Sequence, residues 1–318
     1  VKAQASMQHL VSSSTEVEGA GRRIIRLERP QPKRPFFGEG GFTPQVRKQW
    51  EDYYEDVAIL AFPTPPEQGM IPDSEEKALY YRAPYSSQPG VKQYLPTSSG
   101  YATQSSLEAV QQDKIVDLTN LLKEDGSLEW DIPEGKWTVM RFGSRNNGAV
   151  TRPAPLPGVG LEADKFDTTA LNAHLDKFTG ELFRTIGKRN QHLPGGLKML
   201  HMDSWEMGAQ NWTKQFKEEF IRRRKYDPQP FYPVYAGMIG GSREMSERLL
   251  WALRLTSQEL ILEKHAGHIK AYGHRRGYGL SIEPYDMNPT ADLELATMAD
   301  MPMCEFWSVG YGFNTSFS

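Results

Sequence analysis

The sequence predicts an α/β plus β fold: a β-sandwich-like part over residues 1–157, then parallel βα units of the (β/α)8 TIM-type barrel kind over residues 158–318. Three observations predict it. Before residue 157 apolar and polar residues alternate in short runs separated by turns. Beyond it the apolar spacing becomes helical, and from about residue 197 strand-like and helix-like segments take turns. The Pro-rich stretch Arg152-Pro153-Ala154-Pro155-Leu156-Pro157-Gly158 marks the change.

In the first part, Val57-Ala58-Ile59-Leu60-Ala61-Phe62 is a compact apolar run stopped by Pro63, which suits a buried strand. Residues 64–110 are rich in Pro, Ser, Gly and Gln and predict irregular structure. Lys114 to Leu118 is strand-like. Asp125-Gly126 then turns the chain, and Leu128 and Trp130 alternate with polar neighbours. Pro133-Glu134-Gly135 is a second turn, followed by alternation from Trp137 to Phe142. Short strands at this spacing predict an antiparallel sandwich.

In the second part, Leu171, Leu175, Phe178, Leu182 and Ile186 share one helical face, with Asp167 or Thr168 as cap. Leu197 to Met202 reads as a strand. A polar helix from about Thr213 to Arg224 carries Phe216 and Phe220 on its apolar side. A long helix begins near Ser242, with Leu249, Leu250, Leu253, Leu260 and Ile261 as its buried stripe. Leu280-Ser281-Ile282 is a strand, residues 291–298 a helix, and Met301 to Cys304 strand-like.

Composition removes several classes of function. With 38% hydrophobic and 24% charged residues, the chain is globular rather than disordered. Net charge is −3, and the single basic run, Arg222 to Lys225, suits a helix C-terminus, so nucleic acid is not an expected partner. Cys304 is the only cysteine, which excludes an intrachain disulfide and a Cys-based zinc site. No apolar run approaches the roughly 18 residues that span a membrane. No signal peptide is present, but this absence carries little weight: the chain starts at Val1 and both ends look cut, so a targeting segment could have been lost. There is no His-Glu-x-x-His, and His265 and His268 are expected on a helix surface. Nucleotide-binding and serine-hydrolase motifs are also missing.

Asp203-Ser204-Trp205-Glu206, Glu283-Pro284-Tyr285 and Glu305-Phe306-Trp307 each follow a predicted parallel strand. In barrel folds that end of the strands carries the active site. Acids beside aromatic residues point to sugar chemistry. Glycosidic cleavage needs one carboxylic acid to protonate the leaving oxygen and a second carboxylate to attack or to activate water. Glu206 is the candidate acid. Trp205 would stack on a sugar and desolvate Glu206, as Trp307 would for Glu305. Plainer roles exist: a strand-end carboxylate also caps helices or holds loops, and Asp203 would serve equally to orient Glu206 or a metal. Asn211 and Trp212 fit either sugar binding or packing at a helix start, and Asn211-Trp212-Thr213 matches the short glycosylation sequon. Clustered carboxylates suit hard cations such as calcium, although no Asp-rich calcium loop is present.

In order and spacing, several blocks resemble glycoside hydrolase family 106, the α-L-rhamnosidases, over nearly the whole chain. They are Val57 to Pro63, Gly135 to Gly143, Gly160-Leu161-Glu162-Ala163-Asp164-Lys165, His201 to Glu206, Glu283 to Tyr285 and Glu305 to Trp307. The resemblance implies an inverting hydrolase that removes terminal α-L-rhamnose from plant or bacterial oligosaccharides and polysaccharides, in the periplasm or outside a bacterial cell. It also implies a barrel with appended β domains and a calcium ion contacting the sugar hydroxyls. Glu206 resembles the family's general acid and Glu305 a metal ligand or sugar contact. Glu283 and Tyr285, with Asp203, Trp205 and Trp307, are expected to bind substrate. By this resemblance residues 1 to about 157 are an insertion, the barrel's first strands precede Val1, and the general base follows Ser318. A chain of these 318 residues alone is then expected to be inactive and poorly soluble. Two other readings remain open at this level. One is a retaining enzyme of the β-galactosidase kind, with Glu305 as nucleophile and carboxyls roughly 5–5.5 Å apart rather than 6.5–9.5 Å. The other is a non-catalytic carbohydrate-binding protein.

Overall fold

The computed structural model describes residues 1–67, 69–81, 106–187, 192, 194–285 and 289–304. Its first part contains β1 (Gln8–Glu18), β2 (Gly21–Arg26), α1 (Pro44–Asp52), β3 (Glu55–Pro63), α2 (Ser74–Lys77), β4 (Ala109–Val110), β5 (Val116–Asp117), β6 (Ser127–Ile132) and β7 (Lys136–Asn146). The second contains α3 (Thr168–Ile186), β8 (Met199–Met202), α4 (Phe216–Arg224), β9 (Ile239–Gly240), α5 (Arg243–Leu260), α6 (Gly267–His274), β10 (Gly279–Ile282), α7 (Asp292–Thr297) and β11 (Met301–Pro302).

β7 is the spine of a four-stranded antiparallel sheet in the order β1-β7-β3-β5. The two-residue period of a strand sends neighbouring side chains to opposite faces. Ile59, Ala61, Trp137 and Val139 therefore face one way and meet Ile25, Leu128 and Ile132 of the antiparallel β2–β6 pair. Ala58, Leu60, Phe62, Met140 and Phe142 face the other way. There they join Trp212, Phe216, Tyr232, Val234 and Leu250 from beyond residue 157. The break drawn at residue 157 does not divide this core, and the parallel pairing of β4 with β9 crosses it as well.

β8, β10 and β11 form a parallel sheet in the order β11-β10-β8. α3, α6 and α7 cover it through Leu171, Leu175, Ile269, Tyr272 and Leu295. Asp167, one of the two expected caps of α3, accepts from Thr169 N–H, and Ser242, where the long helix was expected to begin, caps α5 by accepting from Met245 N–H. The stripe of α5 is buried as expected. That of α3 is buried only at Leu171 and Leu175, while Phe178 is 70% exposed and Leu182 and Ile186 are open to solvent. The strand expected at Lys114 to Leu118 shortens to β5, because Gln112–Lys114 coil into a 3-10 turn. Within 64–110, expected irregular, the described residues contain α2 and β4. Among the described residues no helix is long and apolar enough to cross a membrane.

Phe142 ties the sheet to the second part, its ring 5.5 Å from that of Tyr232 and fully buried. Phe142→Ala should cost about 3–5 kcal/mol of stability and shift one cooperative transition seen alike by circular dichroism and tryptophan fluorescence in urea. Two separated transitions would refute a shared core.

Candidate active site

Residues 199–202 form the short parallel strand β8, and the chain leaves its C-terminal end through His201-Met202-Asp203-Ser204-Trp205-Glu206. Asp203 and Glu206 are exposed, and Trp205 between them is 4% exposed. The Trp205 indole N–H donates to Gly208 O at 2.7 Å, and its ring meets His265 edge-on at 5.7 Å. Trp205 is thus a core anchor, which corrects its expected role as a stacking face for sugar. His265, expected on a helix surface, is buried against it, and burial holds that imidazole well below its usual pKa. Gly208 has φ +81°, and an added Cβ would meet Phe36 and Tyr81 O at 3.0–3.1 Å. Only glycine lets the loop turn there.

Beyond the turn the loop is clamped. Asn211 and Trp212 N–H groups donate to Gln8 O at 3.3 and 3.2 Å, and Leu10 N–H donates to Asn211 Oδ1 at 2.8 Å. The Asn211 amide donates to Ala78 O at 2.7 Å. Asn147 Nδ2 donates to Ala209 O at 3.1 Å, where His9 Nε2 also bonds at 3.1 Å. Burial pushes the His9 imidazole down to about 4, so it is neutral and donates that bond. Asn211 and Trp212 are buried in this clamp, which removes them from sugar binding and leaves the sequon inaccessible.

Glu206 and Asp203 open into a cleft of about 730 Å³, within the usual range of small-molecule sites. Its other walls come from Phe36 and Phe37, from Val150 and Arg152, and from Glu162. Ser204 Oγ donates to Glu206 Oε1 at 2.9 Å, and Ser204 N–H to Asp203 Oδ1 at 3.0 Å. Glu162 is paired with Lys165 at 2.6 Å. Burial pushes the Glu162 carboxyl up, but the Lys165 ammonium outweighs burial and leaves it below the usual range.

A second cluster lies across the ends of β8 and β10, where Glu283 N–H donates to Met202 O at 3.0 Å. Donor atoms of His201, Asp203 and Glu283 lie within 4.8 Å of one another. Ser281 Oγ lies 3.0 Å from His201 Nδ1 and 3.3 Å from Leu200 O. His201 Nε2 lies 3.6 Å from Asp203 Oδ1. Tyr285 is half-buried near this cluster in sequence and, among the described residues, does not line the cleft. Glu305 and Trp307 lie outside the described residues. The aromatic pair Phe36 and Phe37, Arg152 and Glu162 were missed by sequence reasoning. Glu162 was within reach, as an acid in the block Gly160 to Lys165, whereas Arg152 was hidden in the Pro-rich break.

Asp164 supports the floor. It accepts from Thr213 Oγ1 at 2.6 Å, from Phe166 N–H at 2.8 Å and from Gln210 Nε2. Burial raises its pKa to about 6 despite these bonds. A carboxyl raised on folding stabilises fully below its unfolded value of 3.8, and that contribution is lost as pH rises through about 6. Asp164→Asn should therefore flatten the loss of stability between pH 4 and 7, measured by urea unfolding. Parallel pH curves for variant and parent would contradict the assignment.

A family model described as alpha-L-rhamnosidase, that of glycoside hydrolase family 106, matches residues 1–316. A curated protein of Formosa agariphila named "Putative beta-glucuronidase" is 31% identical over 313 residues, which are 98% of this chain and 24% of that protein. The solved rhamnosidase of Novosphingobium sp. PP1Y superposes with a TM-score of 0.70 at 23% identity, over 94% of this chain and 39% of that one. At that identity the superposition shows a shared fold. This chain spans about a quarter of the length of the first protein and about two fifths of the second.

Proposed function

The chain belongs to glycoside hydrolase family 106, and from that premise we propose that it supplies the proton donor of a hydrolase releasing terminal α-L-rhamnose from larger glycans with inversion. The observation that carries this reading is Glu206, an exposed carboxyl at the C-terminal end of a parallel strand, facing the cleft and held by Ser204. With Oε1 occupied by the Ser204 hydroxyl, Oε2 is the atom that carries the acidic proton to the glycosidic oxygen. The C–O bond breaks as that proton transfers, and water attacks the anomeric carbon from the opposite face. A second carboxylate takes the proton that the water loses. On this reading β8, β10 and β11 belong to a (β/α)8 barrel, whose active site lies at the strand C-termini. Glycans too large to cross a bilayer place the activity in the periplasm or outside the cell.

The family resemblance also brings calcium. Asp203 and Glu283 offer the carboxylate oxygens such an ion takes, with Glu305 as a further proposed ligand. The His201 nitrogen is a poor calcium ligand, and it fits better beside the site, its ring fixed by Ser281. A bound calcium ion supplies fixed positive charge that orients sugar hydroxyls. The ends of β8 and β10 are joined in either case by the bond from Glu283 N–H to Met202 O.

In the full-length protein, Glu206→Gln should lower turnover of a rhamnosyl oligosaccharide by about 10²–10⁴-fold. An aryl rhamnoside with a good leaving group should lose much less, because it needs little protonation. Proton NMR of the first-formed sugar should show the β-anomer. Unchanged oligosaccharide turnover would remove Glu206 from the acid role, and α-anomer first would replace inversion by retention.

A further inference from the structure

Among the described residues that line the cleft, the carboxylates are Glu162, Asp203 and Glu206 and the one cation is Arg152. Lys165 is occupied by Glu162 at 2.6 Å. Arg152 is not so paired among the described residues. Its guanidinium carbon lies 4.1 Å from the centroid of the Phe37 ring, and it forms no ion pair or hydrogen bond with any described residue. The exposed Phe37 ring itself lines the cleft. A stacked ring takes none of the five N–H donors, so Arg152 is held in place with its donors unused by the described residues. Arg34, also without an ion pair among the described residues, has Nη2 close to Gly38 on the same loop.

From this we propose that the cleft takes an acidic glycan, with Arg152 holding a carboxylate or sulfate on the sugar that carries the terminal rhamnose. The inference rests on the rhamnosidase reading above. A planar guanidinium pairs with such oxyanions through two parallel hydrogen bonds. The placement of charge supports one orientation. Asp203 and Glu206 come from the 203–207 loop and would repel an anion, so the neutral rhamnose belongs against them. The acidic sugar belongs against Arg152 and Phe37, which come from other segments. A cleft of about 730 Å³ has room for both rings.

The test uses the full-length protein and four substrates: an aryl α-L-rhamnoside, an oligosaccharide ending in α-L-rhamnose on a uronic acid, its carboxyl-reduced counterpart, and a sulfated form of that reduced counterpart. The expected result is a kcat/KM for one anionic form about 10-fold or more above the reduced one, carried mainly in KM and weakened by salt. Whichever anionic form is preferred names the group. Arg152→Met should abolish the preference and Arg152→Lys should retain part of it, both variants melting with the parent. Equal cleavage of acidic and reduced oligosaccharides, or a preference that survives Arg152→Met, overturns the inference and leaves the rhamnosidase reading standing. No cleavage of any substrate, the aryl rhamnoside included, removes that reading and the inference with it.

Discussion

The clamp between residues 7–10 and residues 209–213 is the constraint on which the site depends. Backbone and side-chain groups of Gln8, His9 and Leu10 bond to Ala209, Asn211 and Trp212, all deep in the core. Buried polar groups that find partners stabilise modestly, but leaving them unpaired costs more. This asymmetry makes the clamp hard to open. It also sets a fixed end to the loop that starts at β8. Between β8 and Ala209 only six residues remain, and Trp205 pins their middle. Glu206 is therefore held from both sides although its own side chain is exposed.

That arrangement explains why the sandwich-like part and the parallel sheet share one core. β1 and β7 pair over eleven residues, and the buried ends of both strands reach the clamp through Gln8 and Asn147. The cleft then forms where the parts meet. Its acid wall comes from the parallel sheet, and its aromatic and basic wall from loops of the first part. A site on a seam like this needs both parts in place, so its geometry is coupled to the stability of the core beneath it.

Much of the fold was legible because its periodicity was strong. β3, β6, β7, α5 and the parallel strands announced themselves through alternation, a 3.6-residue stripe or turn residues. β1 was not singled out, because its second half is Ser, Thr and Glu on a half-exposed strand whose partner lies more than 100 residues away. α1 depended on a local Thr43-Pro44 start and on Val46 and Trp50, one turn apart. Side-chain direction at the site was the harder part. In Asp203-Ser204-Trp205-Glu206 the order of residues is plain, yet which of them faces the cleft depends on where β8 ends and on the clamp. Trp205 was given to substrate because an aromatic beside an acid suits sugar. The structure spends that ring on the core instead.

The same reversal explains the cleft's aromatic surface. The proposed sugar site calls for an exposed ring near Glu206, and with Trp205 buried such a ring comes from elsewhere in sequence. Phe36 and Phe37 meet edge to face at 4.8 Å, and Phe37 is open to the cleft. Gly148 carries φ +76°, and an added Cβ there would lie 2.5 Å from Pro35, so the 148–152 segment packs directly beneath this loop. The segment that supplies Arg152 is thus the one that supports Phe37. Glu206 and the Phe37 ring come from distant parts of the sequence to one cleft, and each is placed by packing that sequence proximity does not reveal.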